Sequence, residues 1–272
     1  MNLLTIDLEK CNHDNICVSE CPSKLITLKN NVPQSIEGAE MRCVKCGHCI
    51  VVCPTGALSV SGIKTEECLP IKNELKVSID QVEQLIKTRR SIRNYQNKKV
   101  EREKLKKIIE IARYAPTGGN SQLVQWRAID SRDELDKLVD GTIEFMKYLI
   151  KENHPMASSY NLQSLVNAWE HKIDGILRGA PALIVSHAPQ SYGLGMVDGS
   201  VALGYLDIAA SAYGLGCCWA GFFMMAASHS PIIKDVLKLP EGNVCLGALM
   251  VGYPKFKYHR VPPRKEAVIY WS

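Results

Sequence analysis

Apolar positions recur at helical spacing through most of the chain. Val82, Leu85 and Ile86 share one face, and Leu105, Ile108, Ile109 and Ala112 repeat that spacing before Pro116 stops it. Leu135, Leu138, Val139, Ile143 and Met146 predict another helix; Leu162, Leu165, Val166, Trp169, Ile173 and Ile176 predict a further one. Between these lie strand-like runs at residues 125–129, 182–186, 244–252 and 267–271. Helices and strands without strict alternation point to the α+β class. Residues 201–227 are nearly uncharged and long enough to cross a bilayer, but Asp207 lies inside them and Gly204, Gly214, Gly216 and Gly221 interrupt them. That pattern predicts a buried helix, a turn and a strand, and no membrane span.

The first sixty residues read differently. Short apolar runs at 25–28 and 57–60 sit among cysteines, enough for small ribbons and single helical turns. Residues 62–78 mix charge with Pro and Gly without a period, so the expected domains are 1–62 and 83–272, with 63–82 as linker. A length of 272 residues, 46% hydrophobic and 22% charged, agrees with two folded domains. Charge divides along the same line: residues 1–62 carry −1 and the remainder +6, which makes the larger part the basic one. A basic domain suits an anionic cofactor or acidic partner, and no nucleic-acid motif accompanies it. The opening MNLLTIDLEK lacks the basic start and apolar run of a secretory leader, so a cytoplasmic location is expected. In that compartment eleven cysteines, seven of them between Cys11 and Cys53, favour metal binding over disulfides.

Cys43, Cys46, Cys49, Cys53 and Pro54 fit C-x2-C-x2-C-x3-C-P at every position. Three closely spaced thiolates can hold one cubane only if the loop turns tightly, which accounts for Gly47 among them. A second copy runs Cys11, Asp14, Cys17, Cys21, Pro22, with Asp14 at the second cysteine position. A zinc ribbon would use paired C-x2-C knuckles, whereas here four ligand positions crowd into one run, twice. The segment resembles bacterial two-cluster ferredoxins. That resemblance implies one 4Fe-4S cluster on Cys21, Cys43, Cys46 and Cys49, and a second cluster on Cys11, Cys17 and Cys53. At the second cluster three outcomes stay open: Asp14 as fourth ligand, a three-iron cluster, or a water or hydroxide cap.

The basic domain opens with Arg89, Arg90, Ser91 and Arg93, an anion fork of guanidinium groups and a hydroxyl. Pro116, Thr117, Gly118, Gly119, Asn120 and Gln122 form a small polar loop after a helix, suited to approach a planar ring and bond its edge. Ala220 and Gly221 follow a glycine-rich turn, and Arg264 adds a late cation. In this order the motifs resemble the nitroreductase family. The resemblance implies helices around a central mixed sheet and an FMN site at a homodimer interface. It places the phosphate on Arg89, Arg90, Ser91, Arg93 and Arg264, and the isoalloxazine on Pro116, Thr117, Asn120, Gln122, Ala220 and Gly221.

One-electron clusters joined to a flavin imply an oxidoreductase fed by a ferredoxin or NAD(P)H that reduces a small organic acceptor such as a nitro compound, quinone or activated alkene. The alternatives are a non-catalytic relay or redox sensor, and an enzyme that oxidises its substrate and exports electrons through the clusters. No catalytic residue is assigned; His187, His229, Cys217 and Cys218 stand in no acid–base pair and read as structural.

Overall fold

The computed structural model describes residues 3–272. Two compact units divide the chain: the first runs to Lys76 and includes Gly119–Ser121, and the second holds Val77–Gly118 and Gln122–Ser272. The boundary at Lys76 falls inside the stretch expected to be linker. Residues 63–76 associate with the first unit, where Ile63 bridges Val60 and the Thr65 hydroxyl donates to Leu58 O at 2.6 Å.

The first unit contains β1 (Leu4–Ile6), α1 (Ile16–Glu20), β2 (Ile26–Lys29), β3 (Val32–Ser35), α2 (Ala39–Arg42), α3 (His48–Val51) and β4 (Leu58–Val60). β1 pairs antiparallel with β4, and β2 with β3. Asn30 and Asn31 join β2 to β3 with φ of 51° and 61°, the left-handed pair that a tight hairpin requires and that Asn tolerates. Leu3, Leu25, Ile26, Ala39, Ile50, Leu58 and Val60 form a small core against Cys17 and Cys21.

The second unit begins with α4 (Ile79–Thr88), whose start is a reciprocal cap: Ser78 Oγ accepts from Gln81 N at 3.2 Å and Gln81 Oε1 accepts from Ser78 N at 2.8 Å. It continues through α5 (Arg102–Ala112), β5 (Gln125–Ile129), α6 (Arg132–Lys151), α7 (Pro155–Ser159) and α8 (Leu162–Glu170). Then come β6 (Ala182–Pro189), α9 (Gly195–Ala212), β7 (Gly216–Trp219), α10 (Gly221–Ala227), α11 (Pro231–Leu237) and β8 (Asn243–Gly252). The sheet order is β5-β6-β8-β7.

Side chains on a strand alternate between faces, and β6 shows the consequence. Leu183 and Val185 join the core formed with α6, α8, α10 and α11, while Ala182 and Ile184 join the core formed with α5 and α9. Helices thus cover both faces, which is why residues 182–188 are buried without interruption. α9 lies close on β8: a β-carbon at Gly199 would stand 2.8 Å from Leu246, so only glycine permits that approach.

Three expectations are corrected here. Every neighbouring strand pair of the described sheet is antiparallel, so the sheet is not mixed. Residues 267–271 form no strand; they lie exposed in an irregular tail that begins after β8. The fourth helical stripe breaks at Glu170, and Ile176 reaches the core from a loop. No described helix is long and apolar enough to cross a membrane.

Candidate functional site

In the first unit the cysteines gather around two small cavities. One is lined by Cys21, Cys43, Cys46 and Cys49 with Val44, Lys45 and Gly47. The other is lined by Cys11, Asp14, Cys17 and Cys53 with Asn12 and Asn15. These two sets are the ligand sets that the ferredoxin resemblance implies, each drawing one cysteine from the opposite repeat. Gly47, at φ 76°, turns the chain just before α3 so that Cys46 and Cys49 face the same cavity. Burial pushes the Cys49 thiol up to about 11, and Cys21, Cys46 and Cys43 add like-charge repulsion. Burial likewise raises Cys17, with Cys53, Asp14 and Cys11 acting in the same sense. Cations that offset crowded thiolates fit such a site, and iron supplies them. Asp14 Oδ1 accepts from Ile16 N at 3.1 Å, and among the described residues no donor meets Oδ2. His13, one residue out of register, instead bonds Asn31 O at 2.8 Å.

The arginine segment of the second unit lies against β7, with Ile92 N donating to Cys217 O at 2.8 Å. Its cations do not converge. Arg89 and Arg90 line a 220 Å³ cavity with Asp207, Gly216 and Tyr258. Arg89 bonds Asp207 there at 3.2 Å; burial raises the Asp207 carboxyl pKa and the guanidinium opposes that rise. Arg93 lines a different cavity of 330 Å³ with Tyr160, Ile176, Arg178, Cys218, Trp219, Gly221, Phe222, Met225 and Met250. The Cys218 thiol donates to Trp219 O at 3.7 Å, Ser91 lies between Arg90 and Arg93 in sequence, and Arg264 sits in the exposed tail. Gly221 shares the cavity with Arg93, whereas Ala220 is fully buried and donates its N–H to Ala248 O at 3.0 Å. Guanidinium, an open glycine backbone and an indole in one apolar cavity suit an anionic, planar group.

The polar loop after α5 is held from below. Asp198 on α9 is 5% exposed and accepts from Gly118 N at 3.1 Å and from the Tyr192 hydroxyl at 2.5 Å. Thr117 Oγ1 accepts from Gln122 N at 3.1 Å and closes the turn. Pro116, Thr117 and Gln122 line neither arginine cavity. The Asn120 side chain, within the first unit, donates to Val44 O at 3.0 Å and Lys45 O at 3.1 Å, both on the cysteine loop. Two residues escaped sequence reasoning: Asp198, hidden in a helix that reads as apolar all round, and Arg178, a single cation in a turn with no motif around it. His187 is buried beside Asn243 at 2.9 Å, and burial lowers its pKa, so it is a neutral core residue. His229 stacks on Phe145 at 5.0 Å.

Comparison with known proteins matches the two units separately. Residues 86–253 match the nitroreductase family, and residues 6–57 match the 4Fe-4S dicluster domain. A protein of Archaeoglobus fulgidus, provisionally named an NADH dehydrogenase/NAD(P)H nitroreductase, is 28% identical over 176 residues, 63% of this chain and 84% of its own. A NADH-quinone oxidoreductase subunit I of Geobacter metallireducens is 33% identical over 60 residues, 20% of this chain and 46% of that subunit. The crystal structure of a nitroreductase with bound FMN from Desulfitobacterium hafniense superposes with a TM-score of 0.58 at 22% identity, over 72% of this chain and all of that one. At that identity the likeness is one of fold.

Proposed function

This chain belongs to the nitroreductase family and is an FMN-dependent oxidoreductase with a 4Fe-4S domain ahead of it, and from that we propose that two clusters pass electrons singly to a flavin that reduces a small organic acceptor. When bound, the clusters supply one-electron transfer, and FMN couples single electrons to two-electron chemistry. The observation that carries the reading is the partition of ligands between two cavities, Cys21, Cys43, Cys46 and Cys49 at one and Cys11, Asp14, Cys17 and Cys53 at the other. Asp14 is the fourth ligand of the incomplete set, supported by its place in that cavity and its uncommitted oxygen.

For the flavin, Arg93 and Gly221 hold the ring end within the 330 Å³ cavity, and Arg89 and Arg90 supply phosphate contacts from the 220 Å³ cavity; Ser91 and Arg264, which line neither, join them on the family resemblance alone. Pro116, Thr117, Asn120 and Gln122 approach the ring from a second copy of the chain. That division is supported by their absence from the lining of both arginine cavities. It is also supported by the uncovered face of α9, where Met196, Val197 and Tyr205 are 57%, 61% and 43% exposed.

Anaerobic purification with quantification of iron, sulfide and flavin tests the reading. It expects one FMN and about eight iron atoms per chain; about seven would show that Asp14 does not hold a fourth iron. A colourless protein, or zinc in place of iron, defeats it. Asp14→Cys is expected to change the EPR spectrum of the second cluster towards that of an ordinary four-iron centre; an identical spectrum and iron content would remove Asp14 from the site. Turnover with nitroaromatics, quinones and enoates, driven by reduced ferredoxin or by NAD(P)H, identifies acceptor and donor.

A further inference from the structure

Arg178 occupies a turn built to present it. Asp174 accepts three backbone N–H groups around that residue: Ile176 and Leu177 on Oδ1 at 2.9 and 2.8 Å, and Gly179 on Oδ2 at 2.8 Å. Ile176 and Leu177 are anchored in the core at 2% and 0% exposure, so the turn cannot shift without unpacking. Arg178 has φ 58° and Gly179 φ 65°, two left-handed residues in succession. A side-chain-bearing residue pays about 1 kcal/mol for that conformation, and such strain persists where its surroundings impose it. The guanidinium so placed lines the 330 Å³ cavity, and among the described residues no carboxylate pairs with it. The rest of the lining is apolar or aromatic apart from Arg93: Tyr160, Trp219, Phe222, Met225 and Met250.

Position separates the two cations. Arg93 belongs to the segment bonded to β7, and Arg178 precedes β6; β8 runs between those strands, with Val251 paired to both Ala182 and Cys217. The two cations thus reach the one cavity from separate segments of the chain. One cation at the flavin end and one across the cavity floor fit an acceptor that is reduced at one end and negatively charged at the other.

Resting on the reading of this cavity as the place where acceptor meets flavin, we propose that Arg178 determines specificity by binding the carboxylate of an organic acceptor with an aromatic or otherwise apolar body. Arg178 is exposed at the cavity, where its guanidinium forms a charge-assisted bond with a carboxylate that a neutral isostere forfeits.

The test uses the FMN- and cluster-loaded full chain with two probes of one shape, 4-nitrobenzoate and its neutral amide 4-nitrobenzamide. Dissociation constants come from perturbation of the oxidised flavin spectrum, and kcat and KM from steady-state reduction. The loaded protein is expected to bind the carboxylate about tenfold or more tighter than the amide. Arg178→Gln is expected to collapse that ratio through KM for the carboxylate with little change in its kcat, and Arg178→Lys to restore part of it. A ratio that survives Arg178→Gln overturns the proposal, as does an equal loss for both probes or a loss of bound FMN, which would assign Arg178 to the cofactor. If neither probe is reduced, the acceptor reading fails on its own, and the binding ratio still decides the role of Arg178.

Discussion

At the scale of single residues, two buried carboxylates organise the arginine and loop segments, one through an ion pair and one through hydrogen bonds. Asp207 is paired with Arg89 at 3.2 Å, and burial raises its pKa despite that partner. Arg89→Ala leaves the carboxylate buried without its cation, with an expected loss of about 1–3 kcal/mol at pH 7. Because the folded chain holds this proton to a higher pH than the unfolded chain, the penalty for the charged form fades as pH falls through the raised folded value. Parallel melts of wild type and variant should therefore converge as pH falls from neutrality towards the raised Asp207 value, and a gap independent of pH would show that Asp207 is not its source. Asp198 instead acts through hydrogen bonds, accepting from Gly118 N and Tyr192. Asp198→Ala removes the acceptor that Gly118 N and the Tyr192 hydroxyl share and is expected to lower stability by about 1–3 kcal/mol. Flavin retention should fall with it, read as FMN per chain after gel filtration; full retention would detach the loop from the cofactor.

At the scale of elements, two helices make opposite use of their faces. α5 buries Leu105, Ile108 and Ala112 on one side, as its period predicts. α9 is apolar all round, yet only the face carrying Ala202, Leu203, Leu206 and Ala210 is covered by the sheet. A membrane and a subunit contact are the two environments that suit such a helix, and Asp198 and Asp207 inside it argue for the second. On the proposed two-copy site, Val197→Glu, on the open face at 61% exposure, is expected to lower the mass in solution to that of one chain and to release flavin. Light scattering checks the first outcome and absorbance the second; an unchanged mass would move the interface elsewhere. The irregular tail shows where reading by element falls short: residues 267–271 have strand composition, but a strand exists only with a partner to pair, and none of the described strands provides one.

At the scale of the whole molecule, each unit has its own apolar core, but the two differ in what sustains them. The second unit has helices packed on both faces of its sheet, whereas the first relies on a small cluster around Cys17 and Cys21. Domains of that size commonly need a metal to hold together. Removal of iron by a chelator is thus expected to abolish the melting transition of the first unit and leave that of the second, resolved by calorimetry; simultaneous loss of both would contradict independent cores. The 4Fe-4S domain and the α+β class were legible in the chain itself, because C-x2-C-x2-C-x3-C-P and the helical period are relations between near neighbours that any fold must respect. The separation of Arg89 from Arg93, the grip of Asp198 on Gly118 and the presentation of Arg178 were not. Those depend on partners such as Asp207, 118 residues from Arg89, and Asp198, 80 residues from Gly118, which only the packing of helices on the sheet brings within bonding distance.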